Sequence, residues 1–379
     1  MSKNILWIPG PTEVRPEILS ECARPMIGHR SKAMTALTER LDLHLRLAFG
    51  LETGSTSHVA VHTCAATGLM EASLRGCGHK VLALVNGSFS KRYAEIAESV
   101  GKEVVKLAVP MGQAVSMADF ETALREKGPF DAVTFVSNET SAGVRTPLFE
   151  VAAVMRKFPD VMLLVDLVSY IAGAPVDFDH NRMDFAFAGT QKALALPPGL
   201  TVLCASQRYL EAARSLELRG FYLDPVRIVE GHEQRATPAT PCISLYYALA
   251  RQLEDISAGV VLGGGSSGKA AWSARFDEHA RMLRTTEEWA ARNGLEHLPA
   301  PALRSPTISC IRKGDLDVPS LIAGLKEKGH ELGNGYGELK DKTFRIGHMG
   351  DHTDARLRSM LAAADEVVAA LRSSARTPA

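Results

Sequence analysis

The sequence predicts an α/β fold built on a mostly parallel, doubly wound sheet, followed by a smaller α+β unit. Three observations carry that prediction. Short β-branched runs alternate with amphipathic stretches through the first two thirds of the 379 residues. Most of those runs are apolar almost throughout, as strands covered on both faces are. After about residue 258 the pattern changes to glycine-rich and then long polar helical sequence.

Seven runs read as strands: 58–63, 80–85, 103–109, 131–136, 161–165, 184–188 and 201–205. Between them, 91–101, 117–127 and 148–157 space their apolar residues at the helical period. Strand–helix alternation implies parallel pairing, with sites at the strands' carboxyl ends. The stretch GGGSSG at 263–268 then precedes a helical segment over 271–293, and strand candidates 305–312 and 342–347 lead to a terminal helix over 353–373. We expect an N-terminal arm over 1–14, a large domain over 15–258 and a small domain over 259–379.

Lys plus Arg and Asp plus Glu each number 43, so no net field recruits nucleic acid or an anionic membrane surface. A small-molecule partner is expected. Six scattered cysteines form no C-x-x-C pair, which argues against a zinc ribbon and a disulfide framework and reads as reduced thiols. The apolar stretch before Pro9-Gly10-Pro11 is too short for a signal peptide. The longest apolar run, 161–176, carries Asp166 and is too short to span a bilayer. A cytoplasmic location is expected.

The segment 189–200, GTQKALALPPGL, follows an apolar strand and holds Lys192 in a loop dense with Pro and Gly. Partial desolvation there lowers an amine's pKa and favours its nucleophilic neutral form. Asp166 ends the run 161–165, and a carboxylate at the end of a buried strand needs a cationic or donor partner. A protonated pyridine nitrogen is such a partner. The turn 63–68, TCAATG, places small residues between a strand and a helical run, where backbone N–H groups can approach a phosphate.

These residues resemble the class V aminotransferases of the fold-type I family that uses pyridoxal 5'-phosphate (PLP), the group with the alanine-glyoxylate, serine-glyoxylate and serine-pyruvate enzymes. The landmarks run in order across the chain: PGPT at 9–12, GHRS at 28–31, NGSF at 86–89, ETSAGV at 139–144, VDLV at 165–168, GTQKALALPPG at 189–199, TPATP at 237–241 and FRIG at 344–347. The resemblance implies a seven-stranded, mostly parallel sheet and a homodimer with shared active sites. It makes Lys192 the Schiff-base lysine and Asp166 the partner of the pyridine nitrogen. Ala65, Ala66 and Thr67 would cradle the phosphate beside Gln191, with Thr237 reaching it from the opposite subunit. Phe89 would stack on the ring where the alanine-glyoxylate enzymes have tryptophan, Val168 would pack on its other face, and Thr140 would lie near the ring oxygen. Arg345 would hold the substrate carboxylate, for which a bidentate fork is suited. His29-Arg30 has two readings, an anion-binding pair at the substrate entrance or an organiser of the turn and dimer edge. Tyr336 lies either near Arg345 or in a simple turn.

The activity this implies is ping-pong transfer of an amino group from alanine or serine to glyoxylate or pyruvate. Phosphoserine is the main alternative donor, but the phosphoserine enzymes add a second His-Arg pair where this chain has Glu338-Leu339. His348 or Lys340 would have to substitute. A cysteine desulfurase or lyase is disfavoured, since those enzymes place histidines where Gln191 and Phe89 stand, and a noncatalytic relative is disfavoured by Lys192, Asp166 and Arg345. GGGSSGKA at 263–270 nearly matches a P-loop but has Ala270 where a hydroxyl should meet magnesium. His58, His62 and Cys64, and His348, Asp351, His352 and Asp354, are possible metal ligands on paper. No metal is expected, because the first group lacks a fourth ligand and Asp351 or Thr353 is better explained as a helix N-cap.

Overall fold

All seven apolar runs become strands of one sheet. The computed structural model describes residues 4–262 and 264–376, so Gly263 of the glycine-rich stretch lies outside the described residues. In chain order the strands are β1 Ile5–Trp7, β2 His58–His62, β3 Lys80–Val85, β4 Glu103–Ala108 and β5 Ala132–Val136. There follow β6 Asn138–Glu139, β7 Val144–Arg145, β8 Met162–Asp166, β9 Phe185–Gly189 and β10 Thr201–Ala205. The last three are β11 Ile308–Arg312, β12 His330–Asn334 and β13 Thr343–Gly347.

The large sheet has the order β2-β10-β9-β8-β5-β3-β4. Only β10 runs against its neighbours; the remaining pairs are parallel. Helices cover both faces, which is why the strands other than the half-exposed edge strand β4 are apolar at nearly every position rather than at every second one. Alternation sorts their side chains: Val133, Phe135, Leu163 and Val165 enter one apolar cluster, whereas Ala132, Val136 and Leu164 enter the other. The parallel strands therefore deliver all their carboxyl ends to one edge.

A second, four-stranded sheet has the order β1-β12-β13-β11. Its core packs Trp7, Trp289, Phe344 and Ile346 between the sheet and the helices Lys269–Arg292 and Asp354–Arg376. Two of its strands had no clear sequence signal: β1 is three residues long, and β12 (HELGN) is half polar. Thr353 caps the last helix, its hydroxyl accepting from the Arg356 N–H at 3.3 Å. Asp351, the other candidate cap, instead pairs with Arg275 and Arg15.

Candidate active site

Strand ends of the large sheet supply the site. β8 stops at Asp166, whose register partners are Val136 of β5 and Phe187 of β9. β9 runs into the turn that carries Lys192, and β2 leads to the helix Ala66–Arg75. After β3 comes the helix Ser88–Ser99, which bears Phe89 and Arg92. Between these ends lies a cavity of about 280 Å³, near the lower edge of the range of about 300–1,000 Å³ usual for small-ligand sites. Nine of the thirteen residues expected at the site line it: Ala65, Ala66 and Thr67 at the helix start, Phe89, Thr140, Asp166 and Val168, and then Gln191 with Lys192.

Lys192 is 8% exposed, and its Nζ donates to the Pro9 carbonyl. Burial pulls its amine down to about 8; the Arg345 charge acts in the same direction, against Asp166 and Glu139. The N-terminal segment closes over this side chain. A Cβ at position 10 would lie 2.5 Å from Lys192 Cδ and 2.7 Å from Nζ, and Gly10 also has φ +114°, so only glycine fits.

Asp166 is 3% exposed, and among the described residues its carboxylate makes one hydrogen bond, accepting from the Val168 N–H at 2.7 Å. Burial pushes its carboxyl up to about 7, with the Glu139 charge adding to the rise and Val168, Lys192 and Arg92 opposing it. Such a group lacks a cation. Nearby, the helix Ala66–Arg75 begins at Ala65 without any side-chain cap, which leaves its first N–H groups free to meet an anion. The Asn138 Oδ1 in the cavity wall is also buried and has no partner among the described residues, while Nδ2 donates to the Ser169 carbonyl and the Thr307 hydroxyl.

Arg345 stands on β13, with Nε donating to the Asn334 carbonyl at 2.8 Å and Nη1 to the Thr140 carbonyl at 3.3 Å. It makes no ion pair among the described residues, and burial lowers its pKa. Tyr336 covers it, with the Arg345 Cζ 5.6 Å from the ring centroid. That ring in turn stacks on Phe89 at 5.7 Å and 20°, and the Arg92 Cζ sits 5.1 Å from the Phe89 centroid. Tyr336 thus lies near Arg345, packed behind the cavity-lining Phe89. Thr140 gives its hydroxyl to a hydrogen bond with Ser169.

Sequence reasoning assigned no role to Glu139, which is wholly buried behind Phe89. It accepts from the N–H groups of Phe89, Ser90 and Ser141 and from the hydroxyls of Ser90 and Ser141. Gly87 allows this, because a Cβ there would lie 2.4 Å from Glu139 Cγ. The motifs NGSF and ETSAGV are therefore two halves of one contact, a pairing visible only in three dimensions. Arg92 and Asn138 were missed too, having no motif chemistry of their own. Thr237, His29, Arg30 and Arg345 do not line this chain's cavity, although Arg345 bonds the carbonyl of the lining residue Thr140. Thr237 Oγ1 is buried without a partner among the described residues, while His29 is half-buried and Arg30 exposed in the turn before the helix Lys32–Ala48.

The histidine groups that suggested metal ligands have other partners. His58 bonds Glu233 and Gln207, His62 lies against Tyr222, and Cys64 meets the Thr201 hydroxyl. His348 is buried with Nε2 on the Ser309 hydroxyl, and His352 bonds the Leu6 carbonyl.

The profile of the family described as Aminotransferase class-V matches residues 53–260. The chain belongs to the class-V aminotransferases. An uncharacterized aminotransferase of Methanocaldococcus jannaschii is 32% identical over 92% of this chain and 88% of its own. The L-aspartate–glyoxylate aminotransferase of Paracoccus denitrificans is 31% identical over 98% and 92%. Among solved structures, the alanine–glyoxylate aminotransferase of a Nostoc species superposes with TM-score 0.87, at 27% identity over 97% of this chain and 96% of that one. The class-V chain is thus a PLP-dependent transaminase of fold type I. PLP fits the residues present: the buried, cation-less Asp166 and the uncapped helix start at Ala65–Thr67 lie at one cavity with the amine of Lys192.

Proposed function

We propose that this aminotransferase moves an amino group from alanine or serine to glyoxylate or pyruvate, with Lys192 as its catalytic amine. One observation carries the reading: the Arg345 guanidinium, bonded to the carbonyl of the cavity-lining Thr140, has no anionic partner among the described residues, and the cavity is only about 280 Å³, much of which the cofactor must fill. That suits a carboxylate with a short side chain.

When bound, PLP supplies the electron sink that makes the substrate's α-proton acidic. Ala65, Ala66, Thr67 and Gln191 would hold its phosphate, Phe89 and Val168 would flank its ring, and Thr140 would lie near the ring oxygen. The Asp166 carboxylate would keep a cationic partner protonated. Lys192 Nζ, neutral in substantial part near pH 8, takes the proton from the substrate α-carbon and hands it on. Arg345 fixes the carboxylate so that the α C–H bond faces that amine. The second half-reaction runs the same steps backwards on a 2-oxo acid.

The working form in this proposal is a cytoplasmic homodimer. Six free thiols support the compartment. Exposed Met26, Leu43 and Phe221 offer apolar area for a partner, and the partnerless Thr237 hydroxyl supports a reach into the neighbouring site, with His29-Arg30 at its entrance. A fully active monomer in sedimentation would contradict this.

A specific observation favours a second donor. Arg92 lines the cavity without an ion pair among the described residues, its one hydrogen bond a 3.4 Å contact with the Tyr336 hydroxyl. It offers a cation to a side-chain carboxylate such as that of aspartate, the donor named for the Paracoccus relative. Phosphoserine is less well served, since a dianion needs several paired donors. The test is a panel of half-reactions, following loss of the cofactor's visible absorbance with alanine, serine, aspartate, glutamate and phosphoserine. Alanine or serine should lead. A lead of about tenfold for phosphoserine, or about 1.4 kcal/mol of transition-state preference, would overturn the assignment. A lead for aspartate that Arg92→Gln removes would establish the second reading.

A further inference from the structure

Helix Lys269–Arg292 lines no part of the cavity, yet one of its side chains is tied to three segments that build the site. Arg275 is 2% exposed. Its Nη2 donates to the Ala193 carbonyl at 2.6 Å, one residue beyond Lys192. Its Nε donates to the Ala172 carbonyl at 3.1 Å, in the turns that follow Asp166 and Val168. Its Nη1 meets Asp351 Oδ1 at 2.9 Å, in the loop that follows Arg345.

We propose that Arg275 is a positioning residue for the transamination, a planar clamp that holds the Lys192 turn in register with the segments that follow Asp166 and Arg345. The chemistry suits the task. A guanidinium presents donors in a rigid fork, so three acceptors on three segments are fixed relative to one another. Asp351 neutralises the buried charge and is itself held by Arg15 Nε at 2.6 Å and Gln252 Nε2 at 3.0 Å, which anchors the clamp to the N-terminal segment and the helix Ile243–Ser257. A buried ion pair is a poor source of net stability but a good device for register.

The tethered backbone also needs holding. Ala172 and Ala195 have φ of 61° and 56°, a left-handed conformation that costs an alanine energy unless its surroundings enforce it. Within the Lys192 turn the Ala195 N–H bonds the Lys192 carbonyl at 2.8 Å and the Leu196 N–H bonds the Thr190 carbonyl at 3.1 Å. Those bonds close the turn on itself. The Arg275 contact through Ala193 ties it to the rest of the site.

The inference rests on Lys192 being the catalytic amine, so its test includes a readout independent of catalysis. Arg275→Met keeps the bulk and loses every donor; Arg275→Lys keeps the charge and loses the fork. In cofactor-free Arg275→Met, hydrogen exchange at the Ala195 and Leu196 amides should quicken by about tenfold or more beyond any change in β5 amides. In the holoenzyme, kcat should fall by about tenfold or more while KM for the amino acid moves less than about threefold. Arg275→Lys should fall between wild type and Arg275→Met on both readouts. If Arg275→Met does not fold, Arg275→Lys and Asp351→Asn take its place. Folded variants with wild-type exchange at 195–196 and wild-type kcat would overturn the proposal, as would an Arg275→Lys protein that cannot fold, which would make the role one of global structure. Activity in Lys192→Ala would instead remove the reading of Lys192 and leave the exchange result standing.

Discussion

Replacing Asp166 with asparagine should stabilise the cofactor-free protein at alkaline pH while destroying its activity. Burial raises the Asp166 carboxyl from 3.8 to about 7, and each unit is worth about 1.4 kcal/mol. Charge on Asp166 above neutral pH therefore costs the cofactor-free fold at most about 4 kcal/mol, an upper figure because the site relaxes around a charge. The sign follows from proton counting. Between 3.8 and about 7 the folded chain keeps a proton that the unfolded chain has released, so stability falls as pH rises through that window and is level above it. The amide of Asp166→Asn titrates nowhere and still offers its oxygen to the Val168 N–H, so the variant lacks that slope. Urea unfolding of both cofactor-free proteins at equal concentration would measure it, from about pH 4.5 to about 8.5. The variant's advantage should grow with pH to between about 2 and 4 kcal/mol and then stop growing. Under the proposed pairing of Asp166 with the cofactor, saturating PLP should reverse the order. A stability difference that stayed constant across the range would refute the reasoning.

Lys192→Ala should abolish transamination, and borohydride reduction of the holoenzyme followed by peptide mapping should find the label on Lys192; a label on another lysine would reject the assignment. Capture of PLP by the cofactor-free protein should accelerate with pH around a midpoint near 8, not the 10.5 of an ordinary lysine, because burial favours the neutral amine. In Arg345→Lys the planar fork is lost and the charge kept, so KM for the amino acid should rise about tenfold or more, with a smaller change in kcat. Glu139→Ala strands the buried N–H groups of Phe89, Ser90 and Ser141 and should lower stability by roughly 3 kcal/mol or more in chemical unfolding.

The features legible in the chain before folding are local and periodic. Most strands of the large sheet stand out because a strand buried on both faces must be apolar along its length, whereas the edge strand β4 (EVVKLA) is half exposed and partly polar. Asp166 and Lys192 each have a harmless explanation when taken alone, as a turn aspartate and a loop lysine, and they stand out only in combination with the motif order across the chain, which carries the family. Tertiary structure alone decided what depends on residues distant in sequence. The pairing of β1 with β12 joins residues 5–7 to 330–332, and neither segment has enough apolar periodicity to announce it. Gly10 is glycine because Lys192 arrives from a distant part of the chain, Gly87 because Glu139 does, and Tyr336 meets both Phe89 and Arg345 only because the fold brings them together. Asp351 illustrates the limit most directly. Its neighbours in sequence offered a helix to cap, and only the fold brings Arg275 and Arg15 close enough for a buried carboxylate to pair with them instead.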